Sequence, residues 1–393
     1  MACTFPQDIF EEVIGHSILR NETKTFKACS LVCSSWVWGS RRQQFRDVPV
    51  LLASGDRVQS FAELFASPNC TIGPHIRRAE IKMDHSSEAA ISQAIQLLAK
   101  HALACHHLCI SPFSWTHFSI PTRNTFLHLR KVEHLELVKT QCGSLKELVV
   151  IISCFPQLLS LTLTNGTFHR SVLPTIRSIP LPSSLTRLSL SGSGFTLLLP
   201  YIARTVLPNL CQLSISLLPS GFSNISGWLK QHAPTLEHVK ITAEEAPEWN
   251  VGSTMIDAWS LLDFSKFRSL KKLLFDFDPY QTGIDHFRVV AAILRQIPST
   301  SLTSLTVFCT ANLHHHHSAG LEVLQDWVNT LNEDRFASMH FTQAHYAQIT
   351  CQIVYISQAQ IYCESINDFE GHWIKWLMNK LRDPYHILDI IST

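Results

Sequence analysis

The sequence predicts an α/β fold: a solenoid in which a curved parallel sheet is backed by helices, led by a small all-α N-terminal segment. Three observations predict it. A short unit with apolar residues at its positions 1, 4 and 6 recurs along most of the 393 residues. Stretches of helical period separate successive copies. Residues 1–47 lack the unit and read instead as short helices.

The clearest copies are Val132, Leu135, Leu137; Leu158, Leu161, Leu163; Leu185, Leu188, Leu190; Leu210, Leu213, Ile215; and Leu236, Val239, Ile241. They continue as Leu270, Leu273, Phe275, then Leu302, Leu305, Val307 and, more weakly, Phe336, Met339, Phe341. Two degenerate copies precede them, at Ile76, Ala79, Ile81 and at Cys105, Leu108, Ile110. From residue 135 the middle apolar positions step by 26, 27, 25 and 26, then by 34, 32 and 34. The first steps fall in the leucine-rich-repeat period, and the later ones imply insertions. In a Leu-x-Leu strand, alternation sends both apolar side chains to one face and the residue between them to the other. Residues 145–152, 196–204, 225–232, 287–295 and 321–331 supply the helical returns.

A lone unit leaves its apolar face in water at roughly 1.5–3 kcal/mol per large side chain, so units must stack. The expected class is therefore a leucine-rich-repeat-like solenoid. Gly166, Ser193 and Leu218 stand where strict repeats often place Asn, so no asparagine ladder is expected. An amphipathic segment from Asp368 to Leu381, with Phe369, Trp373, Ile374, Trp376 and Leu377, suits a capping helix that Pro384 ends. The expected organisation is a helical module at 1–47, a connector at 48–75, the solenoid at 76–367 and a capping helix with tail at 368–393.

In the N-terminal segment Pro6 suits a first helical turn, and Ile9, Phe10, Val13 and Ile14 follow at helical spacing. Residues 25–38 bring a second apolar face, too large for so small a bundle to bury alone. Phe5-Pro6-Gln7-Asp8-Ile9-Phe10-Glu11-Glu12-Val13-Ile14, then Lys27-Ala28-Cys29-Ser30-Leu31-Val32-Cys33-Ser34-Ser35-Trp36 and the basic Ser40-Arg41-Arg42, resemble the F-box in its fungal form. Phe5 departs from the Leu the family usually carries before the Pro. The resemblance implies that this module docks a Skp-type adaptor of a cullin-RING (SCF-type) ubiquitin ligase core, while the repeats hold an unknown protein substrate. It assigns adaptor contact, or the fold supporting it, to Phe5, Pro6, Ile9, Leu31, Val32, Cys33 and Trp36. The alternative is a non-ligase scaffold whose N-terminal helices cap the solenoid.

Composition limits the other classes. Lys plus Arg (32) nearly cancels Asp plus Glu (31), a formal charge of +1, so no overall field favours nucleic acid or an anionic membrane. No apolar run reaches the roughly 18 residues that span a bilayer, and no secretory signal is read, so a cytoplasmic or nuclear protein is expected. The 12 Cys form no CxxC pair, which predicts neither a zinc module nor a disulfide framework. No phosphate loop, GxSxG elbow or HExxH helix is present, so neither an enzyme nor a cofactor is expected.

The insertions at 243–256, 276–285 and 309–318 follow successive strands and should crowd one rim. Glu244, Glu245, Glu248, Trp249, Asp276, Asp278, Tyr280, His314, His315, His316 and His317 there are the expected substrate-binding surface, since loops on rigid scaffolds commonly bind. The His run lacks the fixed geometry of a metal site. Strand positions Arg187, Ser189, His238, Lys240, Lys272, Ser304 and His340 should face the concave side as display.

Overall fold

The computed structural model describes residues 49–277, apart from 69, 71, 83–87, 116–117, 169–180, 193–197, 218 and 244–261. It also describes Glu12, Val37, Ser40, Phe45 and Gln296, and the strand backbones at 304–309, 348–353 and 387–388. The chain divides into two compact units, Met1–Thr175 with Pro180–Ser184, and Ile176–Ile179 with Leu185–Thr393.

In the first unit the order is β1 (Val50–Leu52), α1 (Gly55–Ala66), β2 (Arg78–Lys82), α2 (Glu88–His101), β3 (His107–Ser111), α3 (Ile120–Thr125), β4 (His134–Val138), β5 (Gln141–Cys142), α4 (Leu145–Ser153), β6 (Ser160–Thr164) and β7 (Thr167–Phe168). Strands β1, β2, β3, β4 and β6 pair in parallel in that sequence. Their register aligns Ala79, Leu108, Leu135 and Leu161 in one row and Ile81, Ile110, Leu137 and Leu163 in the next. All eight are buried, as are Ile76, Cys105, Val132 and Leu158, the first positions of the same copies. Parallel pairing needs a crossover per strand, and the helices provide it while covering the apolar face.

Local sequence sets the helix starts. The Ser54 side chain accepts from the Arg57 N–H at 3.3 Å and begins α1, which buries Val58, Phe61 and Phe65. Ser144 accepts from Glu147 N–H, and the Glu147 carboxylate accepts from Gly143 N–H at 2.7 Å, a reciprocal cap that begins α4.

The second unit runs β8 (Arg187–Ser191), α5 (Leu199–Ile202), β9 (Gln212–Leu217), α6 (Pro219–His232), β10 (His238–Ala243), β11 (Lys272–Phe277), β12 (Ser304–Cys309), β13 (Gln348–Ile353) and β14 (Ile387–Leu388), again parallel between neighbours. Leu188, Leu213, Val239 and Leu273 form one buried row, and Leu190, Ile215, Ile241 and Phe275 the next.

Two devices recur at the strand ends. The carbonyl just before a strand accepts two successive N–H groups from the following layer: Arg77 from His106 and His107, His106 from Glu133 and His134, Glu133 from Leu159 and Ser160. In the second unit Thr186, Cys211 and Glu237 do the same. Just after a strand the chain turns through a left-handed residue, at Lys139 (φ 50°), Asn165 (φ 51°) and Gly192 (φ 107°). Asn and Gly tolerate that conformation, so Asn165 serves the corner rather than a side-chain ladder.

At three places the structure adds to the expected organisation. The segment 48–75 is more than a connector: it holds β1 and α1, and Leu52 sits in register with Ile81. β1 has three residues, too few to show alternation, and its Leu51 is exposed. The strand beside β12 is Gln348–Ile353, whereas the copy at Phe336, Met339 and Phe341 lies outside the described residues. It aligns Ile349 with Leu305 and Cys351 with Val307, an alternation without Leu that a leucine pattern overlooks. Within 368–393, Ile387–Leu388 pairs with β13 as a strand, while the expected helix at 368–381 lies outside the described residues.

Candidate functional site

The same pairing that buries the apolar rows holds the intervening residues in register on the other face. In the first unit Arg78, His107, His134 and Ser160 form one row, and Glu80, Cys109, Glu136 and Thr162 the next. Lys82 at the end of β2 pairs with Glu80, Nζ to Oε2 at 2.6 Å. Along β2 basic and acidic side chains thus alternate, Arg78, Glu80 and Lys82, beside imidazole, thiol and hydroxyl groups on the neighbouring strands. The His107 and His134 rings lie 5.8 Å apart, and His106 packs edge-on to His134 at 6.1 Å.

Burial and charge tune these groups. Burial first, then the nearby Arg78, His134 and His106, push the His107 imidazole down to about 4, so it is neutral at neutral pH. Burial, the Glu136 and Glu80 charges and a hydrogen bond to Glu136 push the Cys109 thiol up to about 12. A protonated thiol beside a neutral imidazole is the reverse of the thiolate–imidazolium arrangement that nucleophilic cysteines use. The face is chemically equipped to hydrogen-bond and pair charges.

The second unit displays a different set. Arg187, Gln212, His238 and Lys272 form one row, and Ser189, Ser214, Lys240 and Leu274 the next. Arg187, Ser189, His238, Lys240 and Lys272 therefore occupy the display positions expected of them, and Ser304 is in register with Lys272. His340 lies outside the described residues. At the strand entrance Lys271 Nζ meets Glu237 Oε2 at 2.8 Å, and that hydrogen bond draws the Glu237 carboxyl below its ordinary value.

Of the expected substrate-binding residues only Asp276 falls on described backbone, in β11, in register with Thr242 of β10 and Phe308 of β12. Glu244, Glu245, Glu248, Trp249, Asp278, Tyr280 and His314 to His317 lie outside the described residues, as do Phe5, Pro6, Ile9, Leu31, Val32, Cys33 and Trp36. The face of β2, β3 and β4 was not singled out from sequence. Its signal lies at the intervening positions of the degenerate copies, Arg78-x-Glu80-x-Lys82 and His107-x-Cys109, with His134-x-Glu136 beside them. Among the described residues no group of three or more His, Cys, Asp or Glu could hold a metal, and no helix is long and apolar enough to cross a membrane.

Parallel strand-and-helix layers with two buried rows per strand and polar rows on the opposite face define a leucine-rich-repeat-like protein with a display surface. No family model matches the chain, and no curated protein matches it. Among solved structures it is similar to the crystal structure of the Rad7 and Elc1 complex in yeast, at 12% identity over 92% of this chain and 97% of that chain, with a TM-score of 0.41.

Proposed function

We propose that the chain is the substrate-recognition subunit of a cullin-RING, SCF-type ubiquitin ligase, acting in the cytoplasm or nucleus. Residues 1–47 dock a Skp-type adaptor and the repeats hold a protein substrate. The observation that carries the receptor half is the polar face of β2, β3 and β4, where Arg78, Glu80 and Lys82 alternate in charge beside neutral His107 and Cys109 and the carboxylate position Glu136, all rigidly spaced by the sheet and suited to an extended polypeptide. The adaptor half rests on the F-box resemblance of Phe5, Pro6, Ile9, Leu31, Val32, Cys33 and Trp36. The chain itself performs no catalysis and uses no cofactor or metal; ubiquitin transfer belongs to other subunits. The protonated Cys109 and neutral His107 fit that reading.

A second reading, the non-ligase scaffold, is favoured by one contact. The Phe45 carbonyl accepts from the Arg77 N–H at 3.2 Å, so the end of the N-terminal segment joins the residue before β2, as a solenoid cap would. Co-purification with a Skp-type adaptor separates the two. The intact chain should retain the adaptor, and a Pro6→Ala/Leu31→Ala/Trp36→Ala variant with unchanged melting should lose it. Retention by the variant refutes the assigned interface, and absence of adaptor from both favours the scaffold.

A further inference from the structure

Outside the display face, the first unit holds an open pocket of about 350 Å³ at the entrances of its strands. It is lined by Pro74 and Arg77 before β2, by His101, Leu103, Ala104 and His106 before β3, by Lys131 and Glu133 before β4, and by Gln157 before β6. The doubled backbone bonds described above set this wall, because the carbonyls of Arg77, His106 and Glu133 fix each layer against the next.

We propose that this pocket is an oxyanion site that seats a carboxylate or phosphate group carried on a peptide ligand. The inference rests on the reading of the chain as a protein receptor and assigns the chemistry of one anchor. Two fixed cations, Arg77 and Lys131, face one carboxylate, Glu133, leaving +1 with both imidazoles neutral. Among the described residues neither Arg77 nor Lys131 is in an ion pair, so their charge is free for a ligand. His106 lines the same pocket with a half-buried imidazole, a ring able to donate to a ligand oxygen. Burial holds the His106 imidazole low, with Arg77 and Arg78 adding to the effect and Glu133 opposing it; a bound anion works in the same direction as Glu133.

The rest of the lining selects the bearer of the anion. Pro74, Ala104 and the 62% exposed Leu103 form an apolar shoulder that suits the stem of an acidic or phosphorylated side chain. A nucleic acid would need a run of cations along a backbone, and two cations around a single pocket in a chain of balanced charge do not supply one.

The test uses the full chain and fluorescence anisotropy with labelled Ala-Ala-X-Ala-Ala, where X is phosphoserine, Glu or Ser. The phosphoserine or Glu peptide should bind at least tenfold more tightly than the Ser peptide, and inorganic phosphate should displace it. The better of the two names the source: preference for phosphoserine points to a phosphate, equal binding of Glu to a carboxylate. Arg77→Gln and Lys131→Gln should each weaken binding about tenfold, the loss expected of one charge-assisted contact. Glu133→Gln should strengthen it about threefold, and Lys146→Gln, exposed on α4, should leave it unchanged. All four are read alongside melting curves, because the substituted side chains are surface groups whose loss should leave the fold intact. Equal binding of all three peptides, no binding of any of them at millimolar concentration, or indifference to Arg77→Gln and Lys131→Gln overturns the proposal. Adaptor co-purification is a separate readout. Its failure with anion-selective peptide binding intact removes the ligase reading alone, and the reverse result removes the pocket alone.

Discussion

The return from β3 to β4 and the return from β9 to β10 solve one problem with different materials. In the first, the helix has six residues, and the space behind the strands is filled by Phe113, Trp115, Phe118 and Phe126, with ring centroids 5.6–6.3 Å apart. Arg123 straps this cluster: its Nε donates to the Phe118 carbonyl at 2.9 Å, its Nη2 donates to the Trp115 carbonyl at 3.0 Å, and its guanidinium lies over the Trp115 ring. In the second, a 14-residue helix fills the space and a buried polar network holds it. Leu207 N–H donates to His232 Nε2 at 2.9 Å, His232 Nδ1 bonds the Trp228 carbonyl at 2.9 Å, and Trp228 Nε1 donates to the Thr205 carbonyl at 2.9 Å. Because Nε2 accepts, the proton sits on Nδ1 and the ring is neutral. The strand is the invariant of the repeat, whereas the return need only fill volume and satisfy its own backbone.

The largest effect expected from breaking this comparison is on the aromatic return. Trp115, 2% exposed, leaves a cavity no helix can close, so Trp115→Ala should cost about 3–5 kcal/mol by denaturant unfolding. Should the substitution cost under about 1 kcal/mol, the cluster is filler rather than core.

Next comes the polar return. His232→Phe strands the buried Leu207 N–H and should cost about 1–3 kcal/mol at pH 7.5. The His232 imidazole is held below its ordinary value of 6.5, first by burial. A depressed imidazole contributes its stability fully above the unfolded value and loses it as pH falls, because the unfolded chain takes the proton first. His107 behaves alike, its window running from 6.5 down to about 4. Unfolding midpoints should therefore fall between pH 7 and pH 4, and His232→Phe should flatten part of that slope. A variant as acid-sensitive as the parent would show that His232 does not titrate with folding.

Smaller still is the strap: Arg123→Met keeps the stem over Trp115 but removes two donors to backbone carbonyls, about 1–2 kcal/mol. Smallest is the display face, where Lys82→Gln breaks a pair between an exposed Lys82 and a half-buried Glu80 and should move stability by no more than about 1 kcal/mol. That last result matters for function, since a position nearly silent for stability is free to serve binding.

Legibility followed the same division. Nine of the copies read from sequence coincide with strands β2, β3, β4, β6, β8, β9, β10, β11 and β12, since a buried strand face must be apolar at alternate positions whatever lies behind it. The helices at 145–152 and 225–232 were equally readable, because α4 and α6 carry apolar residues at helical spacing. The aromatic return was not anticipated: Phe113, Trp115, Phe118 and Phe126 follow no single period, and nothing local says that they converge. β1 and β13 escaped for want of length or of leucine. The candidate face was hidden for another reason. Arg78, Glu80, His107, Cys109, His134 and Glu136 lie up to 58 residues apart in the chain and become neighbours through strand register alone.

By itself the sequence determined the layered architecture, because spaced apolar residues leave each unit with a face that only a neighbouring unit can cover. It also determined which residues of each strand face away from the core, since backbone alternation is local. Tertiary structure alone decided which of those residues stand side by side, that Cys109 is a silenced thiol and His107 a neutral ring, and that Arg77, His106 and Lys131 share a pocket. Those properties arise from desolvation and from charges brought together across layers, and neither exists until the strands are paired.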